Sequence, residues 1–177
     1  QYAARTPTWG NPKGIGFIGC APLERVLKPG FASWAQGRFG KRIFTLYRLD
    51  DRYAGFAPWF ESNPNATVWT QPLLPVLHSD NGLFPHNLFS GDSSRWTLSV
   101  VNSSPEKVSE LRARFSIVLP DGRNLPCGET DVPEIAPLTK ASVPYELSLP
   151  ELPAGQAQLR LTLLNAGGET VGQNWFD

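Results

Sequence analysis

The chain of 177 residues has no methionine, two cysteines and two histidines. Cys20 and Cys127 are too few for the disulfide framework that holds small secreted domains together. One bridge between them needs a close approach of their Cα atoms, which spacing does not reveal, so two unpaired, partly buried thiols are expected. Neither cysteine belongs to a CxxC pair or stands beside a histidine. His78 and His86 lie in a proline-rich stretch without a matching ligand set, so no metal site is expected. Charge of one sign is also missing: 16 Lys+Arg stand against 16 Asp+Glu. That balance offers no basic face to nucleic acid and no polybasic stretch to a membrane. No apolar run approaches the roughly 20 residues of a membrane-spanning helix, and no signal-peptide pattern opens the chain. There is no P-loop and no Ser-His-Asp order. "GIGFIG" has the wrong glycine spacing for a dinucleotide fingerprint and no acid placed to read a ribose. No cofactor is expected.

What is present is punctuation. Seventeen prolines and 16 glycines are spread among short apolar runs, as in chains of many short strands. The apolar fraction of 41% and charged fraction of 18% are those of a globular chain. "KGIGFIG" reads as a short buried strand. Ser33 is placed to cap a helix over "WAQGRFGKRIFTLYRLDD", with Ala35, Phe39, Ile43 and Leu46 or Tyr47 on one apolar face. "AGFAPWF" reads as a second buried strand. Residues 1–62 therefore read as strand, helix, strand, a βαβ-like order. Residues 63–94 carry prolines at 64, 72, 75 and 85 and read as a linker lying over a surface, because Trp69, Leu73, Leu74, Val76, Leu77 and Phe84 need burial.

From Arg95 the period becomes two. Trp96, Leu98 and Val100 alternate with polar residues, and so do Leu111 to Ile117, Val143 to Leu149 and Leu159 to Leu163. "NSSPEK", "PDGRN" and "NAGGE" supply the turns. Residues 95–177 are expected to form an immunoglobulin-like antiparallel β-sandwich, without the Cys…Trp…Cys signature of antibody domains. The fold class is thus mainly β, a sandwich preceded by a strand-helix-strand segment.

Two stretches bear a closer likeness. "KRIFTLYRLDDRYAGFAPWF" resembles the last helix and strand of a (β/α)8 barrel, with Gly55, Phe56 and Trp59 at the pattern positions. "VxN", "LPDG", "LPxLPAG" and a final "L-x-L-x-L" strand ending in "QNWFD" resemble the sandwich that follows such a barrel. Together they resemble the rear half of a family 2-type glycoside hydrolase, the β-galactosidase, β-mannosidase and β-glucuronidase group. The resemblance implies that Trp59 stands at the barrel mouth, stacking on a sugar with Glu61 bonding its hydroxyls. Packing of Trp59 and Phe60 into a seam is the other reading. Catalysis in the group takes two carboxylates. The acid would lie before Gln1, and Glu24 is the carboxylate in reach of the nucleophile position. It stands several residues late and beside Arg25, where a surface ion pair is the other reading.

Room for two barrel strands does not close a barrel. The resemblance therefore implies an inactive part of a glycoside hydrolase acting on β-linked sugars. Carbohydrate and the remainder of a longer polypeptide are its implied partners. The opening on Gln1 and the stop inside an apparent strand lead to the same expectation of an excerpt. The alternative is a stand-alone sandwich module that binds carbohydrate or protein through Trp69, Trp96 and Trp175. "HSDNGLFPH" reads as a turn rather than a calcium loop. The sequons at Asn65 and Asn102 are short enough to arise by chance, and Pro105 disfavours use of the second.

Overall fold

The computed structural model describes residues 41–51, 70–79, 85 and 88–176. The chain divides into two compact units, residues 1–69 and 70–177. In the first, residues 41–49 are helical. Phe44 is buried and meets the ring of Tyr47 edge-on at 6.3 Å, the i, i+3 spacing that lets two side chains touch on a helix. Of the expected apolar face, Ile43 and Tyr47 are half-buried and Leu46 is exposed. The buried stripe is thus turned from Leu46 towards Phe44. Ala35 and Phe39 lie outside the described residues, as do both expected strands of the barrel-like segment.

The second unit is an antiparallel β-sandwich. Its strands are β1 (Leu73–His78), β2 (Ser93–Asn102), β3 (Leu111–Val118), β4 (Asn124–Val132), β5 (Lys140–Ser148), β6 (Gln158–Leu164) and β7 (Thr170–Phe176). One sheet has the order β1-β2-β5 and the other β4-β3-β6-β7. Three strands face four, as in the immunoglobulin architecture. Here, however, β4 pairs with β3 instead of extending the other sheet, as the fourth strand does in the constant-type arrangement. Inward residues of the two sheets make the core: Leu77, Leu98, Val100 and Leu147 from one, Ala113, Phe115, Leu161 and Leu163 from the other, all fully buried.

Two findings differ from the sequence reading. β1 lies inside the stretch expected to be a linker. Its residues Leu73 to Leu77 are buried on both faces, so the strand is a continuous apolar run without the alternation that marks a half-wet strand. Pro75 is tolerated because β1 is an edge strand, bonded only to β2. β4 was also illegible, because Pro126 and Gly128 interrupt it. Its register against β3 shifts between Phe115/Gly128 and Ser116/Pro126, leaving Cys127 as the extra residue of a bulge.

Side chains close both lateral seams of the sandwich. At the β4/β5 side the Tyr145 hydroxyl donates to the Cys127 carbonyl at 3.2 Å, across from one sheet to the other. The Tyr145 ring stacks on Phe115 at 3.9 Å. At the β1/β7 side the fully buried Asn174 amide donates to the Pro75 carbonyl at 2.8 Å, and its oxygen accepts from the Trp175 amide. Gln71 brackets the Gln173 backbone, giving to its carbonyl and accepting from its N–H. These amides stand in for the ladder that neither edge strand makes on that side.

Candidate functional site

The residues singled out for chemistry, Glu24, Trp59 and Glu61, lie outside the described residues, and so does Trp69. Trp96 and Trp175 are placed. Trp96 sits on the inward face of β2, paired with Tyr145 across the sheet. It is half-buried, and its indole N–H donates to Ser94 Oγ at 2.7 Å. It closes an end of the core and offers no platform. Trp175 has the opposite placement. Gly172, Asn174 and Phe176 of β7 are buried and face inward, so alternation turns Trp175 outward.

The outward face of the four-stranded sheet is polar and largely exposed, with Ser116 buried and Trp175 half-buried. One row crosses it as Ser116, Arg160 and Trp175, and the next as Glu129, Arg114, Thr162 and Gln173. Arg114 pairs with Glu129, and Arg112 reaches both Glu129 and Asp131 at 3.7 and 3.4 Å. Arg160 differs. It is exposed and makes no ion pair among the described residues; its guanidinium donates to Gln158 Oε1 at 3.3 Å. The face therefore sets a half-buried indole beside a guanidinium that no carboxylate among the described residues pairs. Gln158, Gln173 and Thr162 surround them. The exposed Arg160 guanidinium can bond to hydroxyls or an anion.

The outward face of the three-stranded sheet is built differently. Leu74 and Val76 of β1 and Val101 of β2 project away from the sandwich core, and all three are buried. Beside them runs a chain of hydroxyls. Ser142 Oγ meets Ser99 Oγ at 2.7 Å, and Ser99 Oγ meets His78 Nε2 at 2.8 Å. His78 Nδ1 lies 2.9 Å from the Ser79 carbonyl, which only accepts. Neutral His78 therefore carries its proton on Nδ1 and accepts from Ser99 through Nε2. Ser99 is buried and cannot meet a substrate, so the chain of bonds ties β1, β2 and β5 together instead of serving as a nucleophile.

Cys127 is a free, half-buried thiol, and burial raises its pKa. That makes it less reactive, since the thiolate is the nucleophile. Among the described residues no three His, Cys, Asp or Glu side chains cluster to hold a metal, and no helix is long and apolar enough to cross a membrane.

No protein-family model matches the chain, and no curated protein does. Solved structures similar to it include a Bacteroides uniformis beta-glucuronidase at 18% identity, covering 57% of this chain and 12% of that one, with a TM-score of 0.37. The exo-beta-D-glucosaminidase CsxA is 16% identical over 82% of this chain and 18% of its own, with a TM-score of 0.46. The CARDB domain of PF1109 from Pyrococcus furiosus is 10% identical over 60% of this chain and 93% of its own, with a TM-score of 0.40. The chain thus spans 12% of the first of these glycosidases. Glycoside hydrolases and a CARDB domain are thus both among the neighbours, at low identity, partial coverage and TM-scores below 0.5.

Proposed function

We propose that this chain is a non-catalytic part of a glycoside hydrolase acting on β-linked sugars, in which the sandwich braces the enzyme and borders its substrate rim. The observation that supports this most is the second buried face. A sandwich that works alone keeps the outward faces of its sheets wet. Here Leu74, Val76 and Val101 are apolar and buried on the side away from the core, unlike the outward residues of such a sandwich. The sequence motifs shared with the sandwiches of the β-galactosidase group support the same reading. Trp59 and Glu61 would belong to the rim. Glu24 would stand near the nucleophile position.

The test begins with the natural protein. Its intact mass and terminal sequences should reveal a polypeptide much longer than Gln1–Asp177. That polypeptide should hydrolyse one or more nitrophenyl β-glycosides. Substituting Val76→Asp in it should lower the temperature at which this activity is lost, whereas Arg160→Gln should leave that temperature unchanged. A natural product confined to Gln1–Asp177, or a longer one without β-glycosidase activity, would overturn the proposal.

A further inference from the structure

We infer that Asp121, in the turn between β3 and β4, is a site of spontaneous backbone isomerisation to isoaspartate, and that Arg123 holds this modification in check.

The reactive pair is a product of the turn. Gly122 N–H donates to the Leu119 carbonyl at 2.9 Å, and Leu119 N–H to the Arg123 carbonyl at 2.9 Å. These bonds close a tight reversal over Pro120 and Asp121. The chain leaves it through Gly122 at φ +87°, a conformation that glycine takes without steric cost. The same missing side chain makes glycine the neighbour that least hinders attack by its own nitrogen. In that attack the Gly122 nitrogen bonds to Asp121 Cγ and gives up its hydrogen, while the protonated carboxyl loses its O–H, so one water leaves. Water then opens the succinimide ring. Breaking the new Cγ–N bond restores aspartate. Breaking the original C–N bond leaves the chain running through Cγ, one backbone atom longer. Nothing is oxidised or reduced, and no other reactant is needed.

The step needs a protonated carboxyl that is free to swing onto the Gly122 nitrogen, and the fold opposes both needs. Asp121 Oδ1 accepts from the Arg123 backbone N–H at 3.0 Å, and Oδ2 from the Arg123 guanidinium at 2.7 Å. The carboxylate thus reaches past Gly122 to the next residue, and both of its oxygens are engaged there. The backbone bond first, then the guanidinium, holds the carboxyl below its usual range, so less of it is protonated. The attacking nitrogen has its hydrogen engaged by Leu119. The Asp121 and Arg123 side chains are 52% and 65% exposed. Water therefore reaches the site, and the guanidinium protects on the scale of a surface ion pair. An extra backbone atom here would disturb the register that the turn sets for β3 and β4.

The test ages the full chain and its Arg123→Gln variant in mildly acidic buffer, each folded and in urea, with circular dichroism confirming the folded samples. Isoaspartate at position 121 is counted by electron-transfer fragmentation of the peptide that carries it. The folded variant should accumulate it about two- to fivefold faster than the folded native chain, the scale of one exposed ion pair. In urea the two should age at one rate, faster than either folded protein. Asn81-Gly82 deamidates through the same kind of ring, and it should do so equally in both folded proteins. That comparison separates a local guard from a general loosening of the fold. The inference is overturned if Asp121 stays unmodified in urea, if Arg123→Gln ages no faster than the native chain, or if Asn81 accelerates in step with Asp121. None of these outcomes bears on whether the natural polypeptide hydrolyses β-glycosides.

Discussion

Asn174 shows how much one polar side chain decides. It is fully buried, and its amide satisfies a carbonyl on the edge of the opposite sheet. Asn174→Ala leaves the Pro75 carbonyl and the Trp175 N–H short of a partner, so a loss of about 2–3 kcal/mol is expected, read as a lower urea midpoint at unchanged slope. Gly128 is a second such position. Its φ is +121°, and a Cβ there would stand 2.7 Å from the Tyr145 hydroxyl. Gly128→Ala should destabilise by about 2 kcal/mol through both strain and collision. Adding Tyr145→Phe removes the hydroxyl, so a double-mutant cycle should return part of that loss and not the part due to φ. Tyr145 also gives a pH dependence. Burial first, then the neighbouring Cys127, pushes its pKa up from 10.0 to about 12. The folded protein therefore holds this proton where the unfolded chain has lost it. Its contribution to stability is full below pH 10 and is lost as pH rises from 10 to 12. Urea midpoints followed over that range should fall more steeply in the native protein than in Tyr145→Phe.

At the scale of elements, strand visibility tracked exposure. The alternation of Arg112, Arg114 and Ser116 with Leu111, Ala113, Phe115 and Ile117 marked β3, and that of Arg160 and Thr162 with three leucines marked β6, because one face of each strand turns outward. β1 has no such alternation, since its outward residues Leu74 and Val76 are as buried as its inward ones. A proline-rich apolar run then looks like a surface-hugging linker. β4 was hidden by its bulge at Cys127, whose freed carbonyl is captured by Tyr145, a residue 18 positions away. The hairpin of β6 and β7 carries a second irregularity. Leu164 pairs with Thr170 but Leu163 with Gly172, so Val171 is an extra residue. Deleting Val171 should restore regular pairing and reverse every later side chain of β7. Trp175 would then be driven inward and Asn174 out. A severe loss of stability is expected, above about 4 kcal/mol, together with a change in tryptophan emission.

At the scale of the whole molecule, the net charge is zero at pH 7, so solubility should pass through a minimum near neutrality and recover about two pH units to either side, as turbidity at high concentration would show. Composition determined that balance and the globular class, and the local order of residues determined the turns at Pro120-Asp121-Gly122 and Gly167-Gly168 and the set of half-wet strands that makes a sandwich. Those properties are local: each depends on a few neighbouring residues and on period two. Which of Asn174 and Trp175 faces the core is not local. Counted back from the turn whose Asn165 and Glu169 are bonded, an unbroken hairpin would set Arg160 opposite Asn174 and turn Trp175 inward. The shift at Val171 reverses this. It is favoured because the inward amide then meets the Pro75 carbonyl, nearly a hundred residues away on the other sheet. Only the assembled sandwich brings that carbonyl within reach of β7, and so only the tertiary structure places Trp175 beside Arg160 on the outward face.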